Sequence, residues 1–321
     1  MNSFAILSAQ FSEKFNVRHF PASPATLYDP NEYFLSLGGK RVRPVLCLMG
    51  NELFDEINPD AWHVANAIEL FHNFSLIHDD IMDKAPLRRG HPTVHEKYGS
   101  ATALLAGDVM LVAAYEYLTR IEATHQRRIL QLFNKTAKEV CEGQQLDMDF
   151  ENQAAVSLEA YLNMIELKTS VLLASSLQMG SILGGAGERN QRLLYEFGRN
   201  LGIAFQVQDD YLDAFGNPDK FGKQVGGDIL SNKKTFLLIK ALEAAKGNDK
   251  KELDALLQSN PEDKVEKVLS IFRNCGVDEW ARDLKASYMD KAFQQLEDIA
   301  VVSIRKEPLK QLAEFLVQRE Y

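Results

Sequence analysis

The sequence predicts an all-α protein, and three observations support this. Only 10 prolines and 19 glycines occur in 321 residues, so long stretches lack the residues that interrupt helices. Apolar and small residues recur at three- to four-residue intervals, as at Ala65, Ile68 and Phe71. Strand-like alternation between turn pairs is absent from the sequence. We therefore expect one helical domain covering residues 1–321.

The elements are expected in the following order. Residues 1–30 predict a helical arm followed by a proline-containing loop, and the turn at 37–44 leads into a helix over 45–54. A long helix over 59–82 precedes another loop. Further helices are expected over residues 102–120, 126–149, 157–184, 189–215, 231–246, 250–258, 262–274, 277–299 and 305–318. Polar residues interrupt the apolar stretch at 171–187, which predicts a buried helix rather than a membrane span.

Composition excludes several classes of function. A net charge of −9 gives little electrostatic basis for binding nucleic acid. The 3 cysteines are odd in number and far apart, which predicts reduced thiols rather than a disulfide framework or a zinc site. The N-terminus lacks the pattern of a secretory signal. We therefore expect a cytoplasmic protein without a transmembrane segment.

Two acidic clusters share one spacing. Asp79, Asp80 and Asp83 end the first apolar helical run, and Asp209, Asp210 and Asp213 end the second. Residues four apart on a helix lie on one face, roughly 6 Å from each other. Two carboxylates there repel one another and the C-terminal helix dipole, unless a cation lies between them. A solvated acidic face could explain either cluster alone, but it explains two such copies poorly.

The ligand type indicates the cation. Carboxylate oxygens without nearby cysteine suggest magnesium, which binds through a few carboxylates, waters and phosphate oxygens. Facing each other across a bundle, the two clusters would hold several such ions around a diphosphate.

Basic residues occur close to both clusters in the sequence. Arg88 and Arg89 follow the first cluster, where a guanidinium can bind phosphate oxygens bidentately. The remaining cations of the set are Lys40, Arg41, Arg43, Lys168, Lys223, Lys233 and Lys234. Taken singly, Lys234 and Arg41 are explained as ordinary surface residues. The whole ordered set predicts a phosphate-binding site.

The segments GGKRVRP, LIHDDIMDKAPLRRG, ELKTS, FQVQDDYLD and GKQVGGDILSNKKTFL resemble, in this order, the signature of the trans-isoprenyl diphosphate synthases. The resemblance covers roughly residues 35–240. It implies a helical bundle of the isoprenoid synthase type with a central substrate cavity. It also implies condensation of isopentenyl diphosphate with dimethylallyl, geranyl or farnesyl diphosphate, three Mg²⁺ ions per active site, and a homodimer.

The resemblance also implies roles for individual residues. The isopentenyl diphosphate would be held by Lys40, Arg43, His72 and Arg89. Magnesium would be ligated by Asp79, Asp83 and Asp209, with Asp80, Asp210 and Asp213 completing the catalytic clusters. The allylic diphosphate would be held by Arg88, Lys168, Thr169, Gln206, Lys223 and Lys233, with Lys168 and Arg88 also catalytic. Gln144 would line the same cavity. His72 could instead be a core histidine.

Product length is expected to depend on the residues just before the first cluster. Phe74 lies five residues before Asp79, and the following Ser75 is small. A single aromatic residue at that place resembles the archaeal type of geranylgeranyl synthase, which implies a twenty-carbon product. The growing product is expected to extend into a hydrophobic tunnel beneath the first acidic cluster. Phe74 could instead be ordinary core packing, and the floor of this tunnel would then lie in the helix containing Ala103 to Met110.

Alternative functions remain open. A farnesyl or longer polyprenyl product is possible within the same family. A class I terpene cyclase uses one D-D-x-x-D motif but normally lacks the second, and needs no second diphosphate site. A non-catalytic subunit of a heteromeric synthase is expected to show degraded aspartates or a missing arginine pair. Both arginines and all six aspartates are present.

Overall fold

The computed structural model describes residues 1–216 and 226–317. Its helices are α1 (Phe4–Phe15), α2 (Ala25–Ser36), α3 (Val42–Glu52), α4 (Pro59–Met82), α5 (Val94–Tyr98), α6 (Ser100–Leu118), α7 (Ala123–Asn152), α8 (Leu158–Ile165), α9 (Val171–Leu183), α10 (Glu188–Phe215), α11 (Gly227–Leu230), α12 (Phe236–Ala244), α13 (Gly247–Leu257), α14 (Lys264–Asn274), α15 (Val277–Glu297) and α16 (Ser303–Val317). A π-helical turn (Glu166–Ser170) and one strand pair, β1 (Leu87–Arg88) and β2 (His91–Pro92), complete the described elements. The all-α prediction is confirmed.

The described residues form two compact units. Unit 1 comprises Met1–Lys135, Ser175–Tyr195 and Ala300–Leu309. In this unit α4 packs against α3 and α6. Helices α3 and α9 meet through their backbones, because a Cβ on Gly180 would overlap the carbonyl oxygen of Cys47. A larger residue at 180 would push these two helices apart.

Among the described residues, unit 2 comprises 136–174, 196–216, 226–299 and 310–317. Its core is built from α8, α12, α14 and α15, which contact one another in pairs. Tyr161, Phe236 and Phe272 are among the largest fully buried side chains there. Burial of such rings removes roughly 150–250 Å² of surface each from water, so they contribute much of the stability of this core. The single domain over 1–321 stays a prediction.

Three local features depart from the predictions. Residues 25–36 form α2, where the sequence predicts part of a loop, and Pro30 lies inside this helix. The predicted helix over 157–184 is divided by the π-helical turn. The predicted loop after α4 contains the two-stranded pair, whose register is Leu87 with Pro92 and Arg88 with His91. Pro30 inside a helix and Arg89 at positive φ in the hairpin turn are both locally unfavourable, so contacts made by the folded chain must stabilise them.

Helix α6 has an unusual apolar surface. It is long and apolar enough to cross a membrane by length and composition, and 39% of that window is buried in the protein. Leu104, Leu105 and Val112 are each at least half exposed on it. The sequence predicts no membrane-spanning segment. Its longest apolar stretch is residues 171–187, which are predicted to form a buried helix. Most of that stretch forms α9, whose apolar side chains are buried as predicted.

Candidate active site

The first acidic cluster lies at the C-terminal end of α4, in unit 1. Asp79 and Asp80 occupy its last turn, and Asp83 is the C-cap residue. Asp80 is 1% exposed, whereas Asp83 is exposed and Asp79 is intermediate. The three carboxylates therefore differ in environment, although they belong to one motif.

Arg88 binds the buried member of the first cluster. Its Nε lies 2.8 and 2.9 Å from the two carboxylate oxygens of Asp80, and its Nη2 lies 2.7 Å from Oδ1. The same Nη2 is 3.5 Å from Asp79. Burial raises the pKa of Asp80, although the hydrogen bonds and charge of Arg88 act to lower it. Arg88 thus holds one carboxylate while it lies beside a second.

The turn between β1 and β2 directs Arg89 away from Asp80 and toward Gly38. Arg89 and Gly90 both have positive φ, 53° and 78°, as in the type I′ turns that join two-stranded hairpins. A left-handed conformation is uncommon for arginine and is often found at functional sites. Arg89 donates from Nη1 to the carbonyl oxygen of Gly38. A Cβ on Gly39 would lie 2.9 Å from its Nη2, so glycine makes room for the guanidinium.

The Gly38–Arg89 contact brings together two segments that are distant in sequence. Arg89 and the exposed Lys40 therefore belong to one local surface of unit 1. Burial lowers the pKa of Arg89, with the charges of Arg41 and Arg88 acting in the same direction. A group of cations that are close and partly desolvated is a suitable binding site for a diphosphate.

His72 lies beside the same basic group. Nη1 of Arg43 is 3.1 Å from Nε2 of His72. Burial and then the charge of Arg43 hold the pKa of His72 well below its usual value. A neutral imidazole nitrogen can accept a hydrogen bond from Arg43, so His72 orients this guanidinium without adding charge.

Arg41 is not the surface residue that a single-residue interpretation of the sequence suggests. It is 5% exposed and pairs with Glu69, which is 2% exposed. Glu69 also accepts a 2.9 Å hydrogen bond from Asn73. Arg41 has φ of 52° at the N-cap of α3 and lies over the ring of Phe15. The first arginine of GGKRVRP therefore points into the core and anchors the segment that carries Lys40 and Arg43.

The second acidic cluster lies near the end of α10, in unit 2. Asp210 is buried, whereas Asp209 and Asp213 are intermediate. The hydroxyl of Tyr161 donates to Oδ2 of Asp210, and Nε2 of Gln206 donates to Oδ1 at 2.9 Å. Burial first, and then the negative charge of Asp228, raise the pKa of Asp210 to about 7. The partners of this carboxyl group are neutral, in contrast to those of Asp80.

Asp213 has a structural contact that the sequence did not indicate. Its Oδ2 accepts a 3.0 Å hydrogen bond from the backbone N–H of Asp228, and its carbonyl oxygen accepts one from Gly226 at 2.6 Å. Asp213 therefore fixes the start of the short helix α11. The approach of Asp228 to this cluster was also missed by sequence analysis.

Lys168 and Thr169 lie in the π-helical turn, a type of irregularity often found at functional sites. Nζ of Lys168 is 2.6 Å from Oδ2 of Asp147 on α7. Burial acts to raise the pKa of Asp147, but the charges of Lys233 and Lys168 outweigh it and the pKa is lowered. A Cβ on Gly143 would overlap the backbone nitrogen of Lys168, so this glycine lets the turn lie against α7.

Three neutral side chains, Thr169, Gln206 and Gln144, belong to this region. Oγ1 of Thr169 donates to Oε1 of Gln206 at 3.4 Å. The Nε2 atom of Gln144 is buried and has no hydrogen-bond partner within the described part of the chain. A buried donor without a partner is costly, so a ligand or water at Gln144 would be stabilising.

The remaining lysines separate into different environments. Lys233 is exposed, and its backbone N–H donates to the carbonyl of Asp228 at 2.9 Å. Lys234 caps the end of α7, with Nζ 2.8 Å from the carbonyl oxygen of Phe150. Lys223, predicted to bind the allylic diphosphate, lies outside the described residues.

Sequence analysis did not single out Glu69, Asp147 and Tyr161. Each had a usable signal. Glu69 is a lone acid in the apolar run AIELF. Asp147 lies three residues after Gln144, and Tyr161 seven before Lys168, both helical spacings that share a face.

The donor set fits magnesium. Over residues 1–216 and 226–317, no three His, Cys, Asp or Glu side chains are already arranged as a metal site. Each cluster instead offers carboxylates one helical turn apart, with no cysteine in its contacts. Magnesium is commonly bound in this way, through one or two carboxylates, waters and substrate phosphates.

Comparison with known sequences reveals extensive similarity. The polyprenyl synthetase family model matches residues 24–274. The chain is 39% identical over 300 residues to the short chain isoprenyl diphosphate synthase of Methanothermobacter thermautotrophicus, covering 93% of this chain and 92% of that protein. It is 38% identical over 301 residues to the geranylgeranyl diphosphate synthase of Methanosarcina mazei, covering 93% and 91%.

Comparison with solved structures agrees. A crystal structure of a geranylgeranyl pyrophosphate synthase matches with a TM-score of 0.95 and 43% sequence identity, over 100% of both chains. This similarity extends the resemblance seen at residues 35–240 to the whole chain. It confirms the predicted isoprenoid synthase type of helical fold.

Proposed function

This chain belongs to the polyprenyl synthetase family, and we propose that it joins isopentenyl diphosphate to an allylic diphosphate to make geranylgeranyl diphosphate. One observation carries the proposal. In unit 1, Arg88 grips Asp80 beside Asp79, while Arg89 packs on the Gly38–Gly39 turn next to Lys40. These cations support a diphosphate-binding surface in the same unit as the first carboxylate cluster.

The residues of unit 1 would bind the isopentenyl diphosphate. Lys40, Arg43 and Arg89 supply positive charge, and His72 keeps Arg43 oriented. Because His72 is held neutral, it does not weaken its neighbours through repulsion. Arg88 would contact the allylic diphosphate while Asp80 fixes its plane, and a guanidinium held this way is pre-organised for bidentate binding.

The residues of unit 2 would act on the allylic substrate. Lys168 and Lys233 would bind its diphosphate, and Lys223 is assigned the same role. As the allylic carbon–oxygen bond breaks, negative charge grows on the leaving diphosphate and positive charge on the allylic carbon. Fixed cations favour the first charge, and the amide oxygen of Gln206 and the hydroxyl of Thr169 favour the second.

The new bond joins C4 of isopentenyl diphosphate to C1 of the allylic group. The adduct then loses a proton, and we assign the departed diphosphate as the base that accepts it. Magnesium, held by Asp79, Asp83 and Asp209 at three ions per site, would neutralise charge on the leaving diphosphate.

Product length is assigned to Phe74 with Ser75. The Phe74 ring lies 5.6 Å from that of Phe71 and 4.8 Å from that of His78, measured between centroids. Ser75 donates its hydroxyl to the carbonyl oxygen of His72 at 2.8 Å. The names of the relatives support a twenty-carbon product.

We also propose a homodimer and a cytoplasmic location. The exposed apolar side chains Leu104, Leu105 and Val112 of α6 support the dimer, because burial between two copies would remove them from water. The free state of Cys47, Cys141 and Cys275 supports a reducing compartment. Sedimentation of the purified protein tests the dimer, and a monomer at micromolar concentration would contradict it.

The deciding experiment is an assay with labelled isopentenyl diphosphate, magnesium and each allylic primer separately. A twenty-carbon product supports the proposal, and a fifteen-carbon or longer product would retain the reaction but discard Phe74 as the floor. Without incorporation from any primer, a cyclase or a partner-dependent subunit becomes the better explanation. Phe74→Ser should give products longer than wild type, whereas the exposed-site control Phe315→Ser should not.

A further inference from the structure

The middle aspartate of the second cluster, Asp210, is buried, whereas Asp209 and Asp213 are partly exposed. Asp210 is 7% exposed, and its two oxygens accept hydrogen bonds from Tyr161 on α8 and Gln206 on α10. Neither partner is charged. A carboxylate whose two oxygens are occupied in this way has less capacity for a metal ion than a carboxylate at the surface.

The contact between Asp210 and Gln206 fixes the polarity of an amide. Nε2 of Gln206 donates to Oδ1 of Asp210 at 2.9 Å, so the amide presents its NH₂ group to this carboxyl group. Its oxygen then points the other way, where Oγ1 of Thr169 lies 3.4 Å from it. If the amide were reversed, its NH₂ group would face the place where positive charge develops, and it would destabilise that charge.

Tyr161 fixes Asp210 in turn. Tyr161 is 2% exposed, and its ring lies 6.2 Å from that of Phe236 in the core of unit 2. Helix α8 continues directly into the π-helical turn that carries Lys168 and Thr169. The chain of hydrogen bonds from Tyr161 through Asp210 and Gln206 to Thr169 therefore begins and ends on one continuous segment.

We propose that Tyr161 and Asp210 are positioning residues, which hold the Gln206 amide with its oxygen toward Thr169 and the allylic carbon, and that Asp210 is not a metal ligand. This assignment rests on the proposed function. It separates the second cluster into Asp209, assigned to metal, Asp210, which orients Gln206, and Asp213, which fixes α11.

The first test measures catalysis. Tyr161→Phe keeps the ring but removes one hydrogen bond to Asp210. We expect kcat to fall about 10-fold, with KM for both diphosphates within about twofold, because only an interaction of the transition state is weakened. The matched control is Tyr211→Phe, which removes a 2.7 Å hydrogen bond to another carboxylate, Asp278. The control should retain wild-type kcat.

Asp210→Asn tests the amide polarity. Asparagine at 210 can donate to the oxygen of Gln206 and reverse this amide, so we expect a fall in kcat of roughly 100-fold. Adding Tyr161→Phe to Asp210→Asn should cause little further loss, because the residues act as one unit.

Calorimetry gives a readout that is independent of turnover. Magnesium is titrated into each variant with inorganic diphosphate present. Tyr161→Phe and Asp210→Asn should bind magnesium as wild type does, whereas Asp209→Asn should bind it at least 10-fold more weakly. If Asp210→Asn weakens binding as Asp209→Asn does, Asp210 is a ligand and the proposal is wrong. Wild-type kcat in Tyr161→Phe would also overturn it.

The wild-type assay separates the two levels of inference. Wild type that condenses no isopentenyl diphosphate would overturn the proposed function, and the positioning assignment with it. Active wild type together with an unaffected Tyr161→Phe would overturn the positioning assignment alone. A thermal unfolding midpoint for Tyr161→Phe well below that of Tyr211→Phe, with kcat and both KM values changed together, would indicate a structural role and contradict the proposal.

Discussion

The two acidic clusters share one sequence motif but compensate their buried carboxylate differently. Asp80 in unit 1 is paired with the guanidinium of Arg88, whereas Asp210 in unit 2 is bound by the neutral groups of Tyr161 and Gln206. Burial raises the pKa of both, and that of Asp210 reaches about 7. The charged partner adds a cation beside the first cluster, whereas the neutral partners include an amide whose NH₂ group faces the second.

The last aspartates of the two motifs, Asp83 and Asp213, also differ in their environments. Asp83 is an exposed helix cap, whereas Asp213 accepts hydrogen bonds that fix the start of α11. Equal spacing in sequence therefore does not imply equal roles. Only the first aspartates, Asp79 and Asp209, are assigned the same role in both clusters.

The largest expected effect tests that shared role. Asp79→Asn and Asp209→Asn should each lower kcat by about 10⁴-fold, because each removes a charge assigned to binding metal beside the leaving group. The control is Asp254→Asn, which removes an exposed carboxylate paired with Lys250. Turnover within tenfold of wild type for either variant would contradict the metal assignment at that cluster.

The next effect concerns the buried ion pair between Arg41 and Glu69 in unit 1. Arg41→Met should lower the free energy of unfolding by about 3–5 kcal/mol, because Glu69 is left buried without a cation. Lys250→Met breaks an exposed pair and should cost less than about 1 kcal/mol. The double variant with Glu69→Met should recover much of the loss. Equal effects of the two single variants in denaturant unfolding would show that burial of the pair contributes nothing.

A smaller effect tests the contact between the guanidinium of Arg88 and Asp80. Arg88→Lys retains the charge but cannot bind Asp80 and a phosphate through a planar fork, so kcat/KM for the allylic substrate should fall roughly 100-fold. Arg282→Lys is the matched control, because Arg282 makes a similar two-point contact with Asp278 far along the sequence. An Arg88→Lys variant as active as this control would show that charge alone is sufficient at Arg88.

The smallest expected effect is on stability against pH. The pKa of His72 is lowered in the folded protein, so the unfolded chain takes up a proton first as pH falls through about 6.5. His72 therefore reduces stability progressively below that pH. Between pH 7 and 5, His72→Asn should flatten the decline in unfolding free energy by about 1–2 kcal/mol. Parallel curves for variant and wild type would contradict the lowered pKa of His72 in the folded protein.

The fold could be predicted largely because its signals are local. Apolar periodicity predicted α4 over 59–82 to the residue, and α10 within one residue of its start. Periodicity failed at α2 and at the hairpin after α4. Pro30 is locally unfavourable inside a helix, and Arg89 is locally unfavourable at positive φ. Such conformations require stabilisation from distant contacts, which a local pattern does not contain.

The candidate site shows the same division. Residue types and their order predicted the two clusters and most of the surrounding cations, together with the family. They did not predict that Arg41 points into the core, nor that Asp147 pairs with Lys168. Partners separated by 21 or 28 residues are chosen by how helices pack, so their pairing cannot be derived from spacing alone.

By itself, the sequence determined the helical class, the family and the chemical character of the site, because these depend on residue type, period and order. The tertiary structure decided which member of each acidic motif is buried and which groups neutralise it. That choice depends on which helix faces the carboxylate. The folded chain thus gives Asp80 the charged partner Arg88 and Asp210 the neutral partners Tyr161 and Gln206, because a buried carboxyl group requires compensating hydrogen bonds or charge.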